Sequence, residues 1–171
     1  MRRLNRHRRR QSQQGFLLME VILSIALTAL IGLGASIAAA QVCTQTASNS
    51  EYTAASRQAM NALSWLGQDA QMAQQVSGAE DFPEKDLVFT WTWWDNSVNR
   101  ATYSLVNGQL KRTFSSGEIN QEKIVASYIS EDGSLTSCSL EDGILTVTVT
   151  AVINSNSVTK SREIVPRPGL G

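Results

Sequence analysis

Glu20 is the residue most at odds with its surroundings, because it is the only charge in the run "FLLMEVILSIALTALIGLGASIAAAQV" from Phe16 to Val42. A carboxylate deep in hydrocarbon costs on the order of 2.5 to 3.5 kcal/mol, so it must face a partner or water. Near the end of a membrane helix it can snorkel to the headgroups; alternatively, it can pair with a cation on a neighbouring helix. The other groups with chemical potential are few. The single histidine, His7, lies in a basic head, so the body offers no imidazole for a Ser-His-Asp or Cys-His site, HExxH zinc chemistry or a Cys/His finger. Cys43 and Cys138 belong to no CxxC pair, and they are either one disulfide of an oxidising compartment or two buried thiols. The acidic pairs in "AED", "SEDGS" and "LEDG" lack EF-hand spacing, and Asp132-Gly133 and Asp142-Gly143 read as turns. No phosphate-binding glycine loop occurs. The expectation is therefore no catalytic residue, no metal, no cofactor and no enzyme.

The element that must position Glu20 is a helix. At about 1.5 Å per residue the apolar run is long enough to cross a hydrocarbon core of roughly 30 Å with some tilt. Six arginines (Arg2, Arg3, Arg6, Arg8, Arg9, Arg10) precede Gly15, whereas all fifteen acids follow it. Positive charge stays on the cytoplasmic side, which predicts a cytoplasmic N-terminus and a body on the far side of the membrane. Without the head, nine basic side chains face fifteen acidic ones, a net −6 that argues against nucleic-acid backbone as a general partner. An ordinary secretory signal places its small-residue cut site after the apolar stretch. Here the small residue, Gly15, comes before it, so cleavage there would remove the head and leave the helix attached.

A basic leader ending in Gly15, then Phe16, three apolar residues, Glu20 and a long apolar helix resembles the prepilin signature of type IV pilins and type II secretion pseudopilins. The match covers Met1 to about Val42. The resemblance implies that a prepilin peptidase cuts after Gly15 and that Phe16 becomes the N-methylated mature N-terminus. It further implies that Glu20 serves assembly, with other pilins or pseudopilins and an inner-membrane assembly platform as partners and nucleic acid only in a DNA-uptake pilus. Once Phe16 carries a free amine, Glu20 of one subunit can meet the amine of another and set the axial register between helices. Major pilins usually carry a kinking proline in the second half of this run. This chain has none before Pro83, which favours a minor pilin or pseudopilin.

Beyond Cys43, Tyr52, Ala55, Ala59, Leu63, Leu66, Ala70 and Ala73 step by three or four residues, which predicts an amphipathic stem ending at Ser77-Gly78. "LVFTWTWW" alternates as a strand, with Leu87, Phe89, Trp91 and Trp93 on the core face. Trp94 must then point the other way. Asn107-Gly108 between "ATYSLV" and "QLKRTF" is a hairpin signal, and "KIVASYIS", "ILTVTVTAVI" and "SVTKSREIV" supply further strands. The fold class expected is α+β and pilin-like: a long N-terminal helix, membrane-spanning in its first half, with four to six antiparallel strands packed on its second half. The parts are a leader at 1–15, a membrane and assembly helix at 16–43, a stem at 44–77, an exported sheet body at 85–166 and a tail at 167–171. The body also resembles J-class minor pseudopilins, in which a stem aspartate and a "Y-x-L-x-x-G-x-L-x-R" hairpin recur; here these fall on Asp69 and on Tyr103, Leu105, Gly108, Leu110 and Arg112. That resemblance implies a structural subunit near a filament tip. The alternative is a minor pilin whose body binds DNA, a surface or cargo, and an exposed Trp94 or a basic strip at Lys111 and Arg112 would mark it.

Overall fold

The computed structural model describes the backbone of residues 8–167 and the side chains of residues 18–167. Helix α1, Arg8–Met72, comes first, and eight strands follow. The chain divides into two units, Met1–Ala47 and Ser48–Gly171. In the first unit all side chains described are exposed, with apolar residues such as Leu23, Ile31 and Ile37 on the surface. From Leu18 onward the helix is long and apolar enough to cross a membrane. A helix apolar all round is at home only where its surroundings are apolar too.

The second unit is built on the last part of α1. Ala55, Ala59, Ala62, Leu63, Leu66 and Ala70 form its buried face, with Ala73 buried just beyond its end; the face is largely alanine, so the sheet backbone can come close. Five strands form an antiparallel sheet in chain order: β1 (Gln75–Ser77), β2 (Leu87–Thr92), β3 (Val98–Val106), β4 (Gln109–Ser116) and β5 (Ile119–Ser127). Three more, β6 (Ser137–Glu141), β7 (Ile144–Ile153) and β8 (Asn156–Ile164), form a second antiparallel sheet. Alternation places Leu87, Phe89, Trp91, Ala101, Tyr103, Leu105 and Leu110 of the first sheet, with Leu145, Val147 and Val149 of the second, in one core with the helix face. The sheets are stitched where Ile129 bridges Ala151: Ser130 N–H donates to Thr150 O and Val152 N–H to Tyr128 O, both at 2.8 Å. The β3–β4 turn has Asn107 at φ 52° and Gly108 at φ 69°, the positive pair that a two-residue hairpin of primed type requires.

The α+β architecture is the expected one, with three differences. The stem helix stops at Met72 and not at 77, because Gln74 N–H donates to Thr90 O at 2.9 Å and residues 75–77 pair with β2 as a strand. The described residues form eight strands where four to six were expected. Short β1 continues a helical pattern, and β6, "SCSLE", alternates too weakly to stand out among serines. Two residues assigned to buried faces are exposed, Tyr52 at 52% and Trp93 at 48%; Trp93 lies beyond the last β2–β3 pair, Thr92 with Val98, where the core ends.

Candidate functional site

In the first unit the hydroxyls of Ser24, Thr28, Ser36, Thr44 and Thr46 each donate to a backbone carbonyl three or four residues earlier, at 2.7 to 2.9 Å. Such back-bonding satisfies a hydroxyl where water is absent. Glu20 has no such outlet: it is exposed, and no ion pair among the described residues includes it. At Gly15 and Phe16, the expected cleavage and N-methylation positions, only the backbone is described, as part of α1. At Gly32 and Gly34 nothing lies within 4 Å of where a Cβ would sit, which leaves bare backbone on the surface.

In the second unit three residues that the resemblance singled out come together. Asp69, 5% exposed on the stem, is gripped by the Arg112 guanidinium in a forked arrangement: Nε donates to Oδ2 at 2.6 Å and Nη2 to Oδ1 at 2.9 Å. The Tyr103 hydroxyl donates to the same Oδ2 at 2.5 Å. Tyr103 and Arg112 stand opposite each other in the β3–β4 register, so one antiparallel pair presents both groups to one turn of helix. The hydrogen bond to Asp69 raises the pKa of Arg112, and burial followed by the Asp69 charge raises that of Tyr103. The Arg112 guanidinium also lies 5.3 Å from the Trp65 ring centre and 5.0 Å from that of Phe114, and Lys123 Nζ lies 4.7 Å from Trp65. The carboxylate, the phenol and the guanidinium are thus engaged with one another. The chemistry of the cluster is that of a clasp that locks the stem to the sheet. Leu105 and Leu110, paired across the same hairpin, are buried beside it.

The remaining candidates separate. Cys138 is buried, and burial pushes its thiol up to about 12, whereas Cys43 is exposed on the helix. Both thiols are free in this structure, and Cys138 sits in the core opposite Val147. Lys111 and Arg112 make no basic strip, because adjacent strand residues face opposite ways: Lys111 pairs with Glu122 at 2.8 Å while Arg112 turns inward. Trp94, by contrast, is 91% exposed. It borders a groove of about 590 Å³ that also draws on Gln71, Gln74, Trp91, Trp93 and Arg167. The indole Nε1–H of Trp91 is buried without an acceptor among the described residues, a state that costs about 1 to 3 kcal/mol. Sequence reasoning did not find this groove, since its parts come from a helix end, a hairpin tip and the region after β8. Among groups of His, Cys, Asp and Glu in the described residues, none is arranged to hold a metal ion. No family model matches the chain, and no curated protein matches it either.

Proposed function

We propose that this chain is a minor pilin or pseudopilin, a structural subunit that is held in the inner membrane by α1 and then assembles through α1 into a type IV pilus or a type II secretion pseudopilus. The observation that carries the reading is Glu20: the one charge of the Phe16–Val42 run, five residues past Gly15, with no intramolecular ion pair among the described residues. In the proposed assembly its partner comes from another subunit. Cleavage after Gly15 by a prepilin peptidase would create a positive amine at Phe16, about 6 Å along the helix from Glu20, and the amine of a neighbouring subunit meets this carboxylate in the filament. In a low dielectric that pairing is strong enough to fix register. The basic head keeps the N-terminus cytoplasmic, and the second unit lies across the membrane. The role is assembly and not catalysis.

Mass spectrometry of the mature protein is expected to find a chain starting at N-methylated Phe16; any other start removes the reading. Glu20→Ala is expected to be cut normally yet to fall at least roughly tenfold in co-purification with filaments, a factor equivalent to about 1.4 kcal/mol. Normal incorporation of that variant would refute the pairing. A second reading, a minor pilin whose body also binds a ligand, is favoured by one observation, the exposure of Trp94.

A further inference from the structure

The groove beside Trp94 combines features that the assembly role does not use. Trp94 sits at the tip of the β2–β3 connection, and that tip is tied down: Trp93 N–H donates to Ser97 O, Asn96 N–H to Trp93 O and Ser97 N–H to Asp95 Oδ1, at 3.0, 3.0 and 2.9 Å. Its exposure is therefore the property of a fixed turn and not of a loose loop. Trp93, at 48% exposure, and the buried Trp91 line the same groove, giving indole surface at its tip, wall and floor. The polar lining is also set. Gln74 Oε1 accepts from Thr92 N–H at 3.0 Å, which orients that amide and leaves its NH₂ to donate, and Gln71 lies in the last turn of α1. Arg167 contributes the only charge; it forms no ion pair among the described residues, and no carboxylate shares the lining.

From this arrangement we propose that the groove is a glycan site, which stacks the C–H faces of pyranose rings on Trp93 and Trp94 and favours a ring that bears a carboxylate through Arg167. Amide and guanidinium donors set beside flat aromatic faces suit a ligand that is apolar on its ring faces and hydroxyl-rich at its edges. The volume falls within the range of roughly 300 to 1,000 Å³ usual for small-molecule sites. Charge complementarity selects an acidic ring, because the one cation of the lining has no counterion among the described residues. Single-stranded nucleic acid fits less well, since stacking platforms for it are joined to a row of cations along the backbone and this groove has one. A protein hot spot fits less well too. Those anchors lie in pockets ringed by contacts that exclude water, and Trp94 is flanked by exposed Asp95 and Asn96.

The test is calorimetric titration of the full chain in a zwitterionic detergent, because a sugar-headed detergent would compete. The probes are xylotriose carrying one glucuronic acid branch, and xylotetraose. Saturable binding of both is expected, tighter for the acidic sugar. Trp94→Ala should weaken both at least roughly tenfold with an unchanged unfolding midpoint, and Arg167→Gln should abolish the preference between them. No saturation by either sugar at about 10 mM, or wild-type affinity in Trp94→Ala, would overturn the site. So would saturation by an acidic peptide or by oligothymidylate in place of the sugars. Trp94→Ala is expected to enter filaments like the unaltered chain, so failure of the glycan site and failure of the assembly role are read in separate experiments.

Discussion

Replacing Arg112 with Met is expected to destabilise the second unit by about 3 to 5 kcal/mol. The reason lies in what it leaves behind. Asp69 is 5% exposed and takes two hydrogen bonds from Arg112, so without the guanidinium a carboxylate remains in the core with only the Tyr103 hydroxyl as partner. An uncompensated buried charge costs more than the pair was worth. The control is a triple variant, Asp69→Leu, Tyr103→Phe and Arg112→Met, which removes all three polar groups and should recover most of the loss. Urea unfolding of the detergent-solubilised chain, followed by Trp65 and Trp91 emission, gives both numbers. A single variant that unfolds like the parent would show that the clasp contributes little.

The same clasp sets an alkaline limit. The folded-state pKa of Tyr103 is raised, by burial and then by the Asp69 charge, so above pH 10 the unfolded chain releases this proton while the folded chain keeps it. Stability is full below that pH and falls as the pH rises further. Tyr103→Phe should flatten that limb, and midpoints measured from pH 8 to pH 11.5 would detect the difference; an unchanged slope would exclude Tyr103 as its source.

Glu20 and Asp69 lie on one helix and show opposite solutions to the same problem. Asp69 finds its partners at home, on β3 and β4, and becomes part of the fold. Glu20 finds none among the described residues, and under the proposed assembly role its partner is the amine of a neighbouring subunit.

The parts of this architecture that were legible in the sequence are those governed by local period. The three-to-four spacing from Ala55 to Ala73 gave the buried stem face, and Leu87, Phe89 and Trp91 gave the core side of β2. The Asn107-Gly108 turn was readable because few residues tolerate two positive φ angles in a row. What periodicity could not supply was where competing partners cut in. "QVS" continues the helical spacing, yet the free edge of β2 captures it as β1, a non-local gain invisible in a short window. The clasp was foreseeable only through resemblance, since nothing in the spacing of Asp69, Tyr103 and Arg112 says that two strands will present both donors to one helix turn. The groove was not foreseeable: alternation set Trp94 apart from the core face but kept Trp93 on it, and both rings are exposed and line the groove.

Gly78→Ala is expected to cost about 3 kcal/mol or more, although the residue is neither in the core nor near a charge. Gly78 sits directly after β1 with φ +78°, a region in which a side chain is strained by roughly 1 to 2 kcal/mol. The added Cβ would also meet the Asp86 carbonyl oxygen, far inside van der Waals contact, and that obstacle is backbone at the entrance to β2. Neither side can yield cheaply. Moving Asp86 drags Leu87, whose side chain is fully buried, and moving Gly78 breaks the pairing of Ser77 with Val88. Gly117→Ala provides the matched comparison, because its φ is +57° but nothing lies within 4 Å of the new Cβ. It carries the conformational penalty alone and should cost about 1 to 2 kcal/mol. The difference between the two unfolding free energies isolates the steric part; equal losses would mean that the β1–β2 corner relaxes freely and that its close approach does not hold the sheet to the end of the stem.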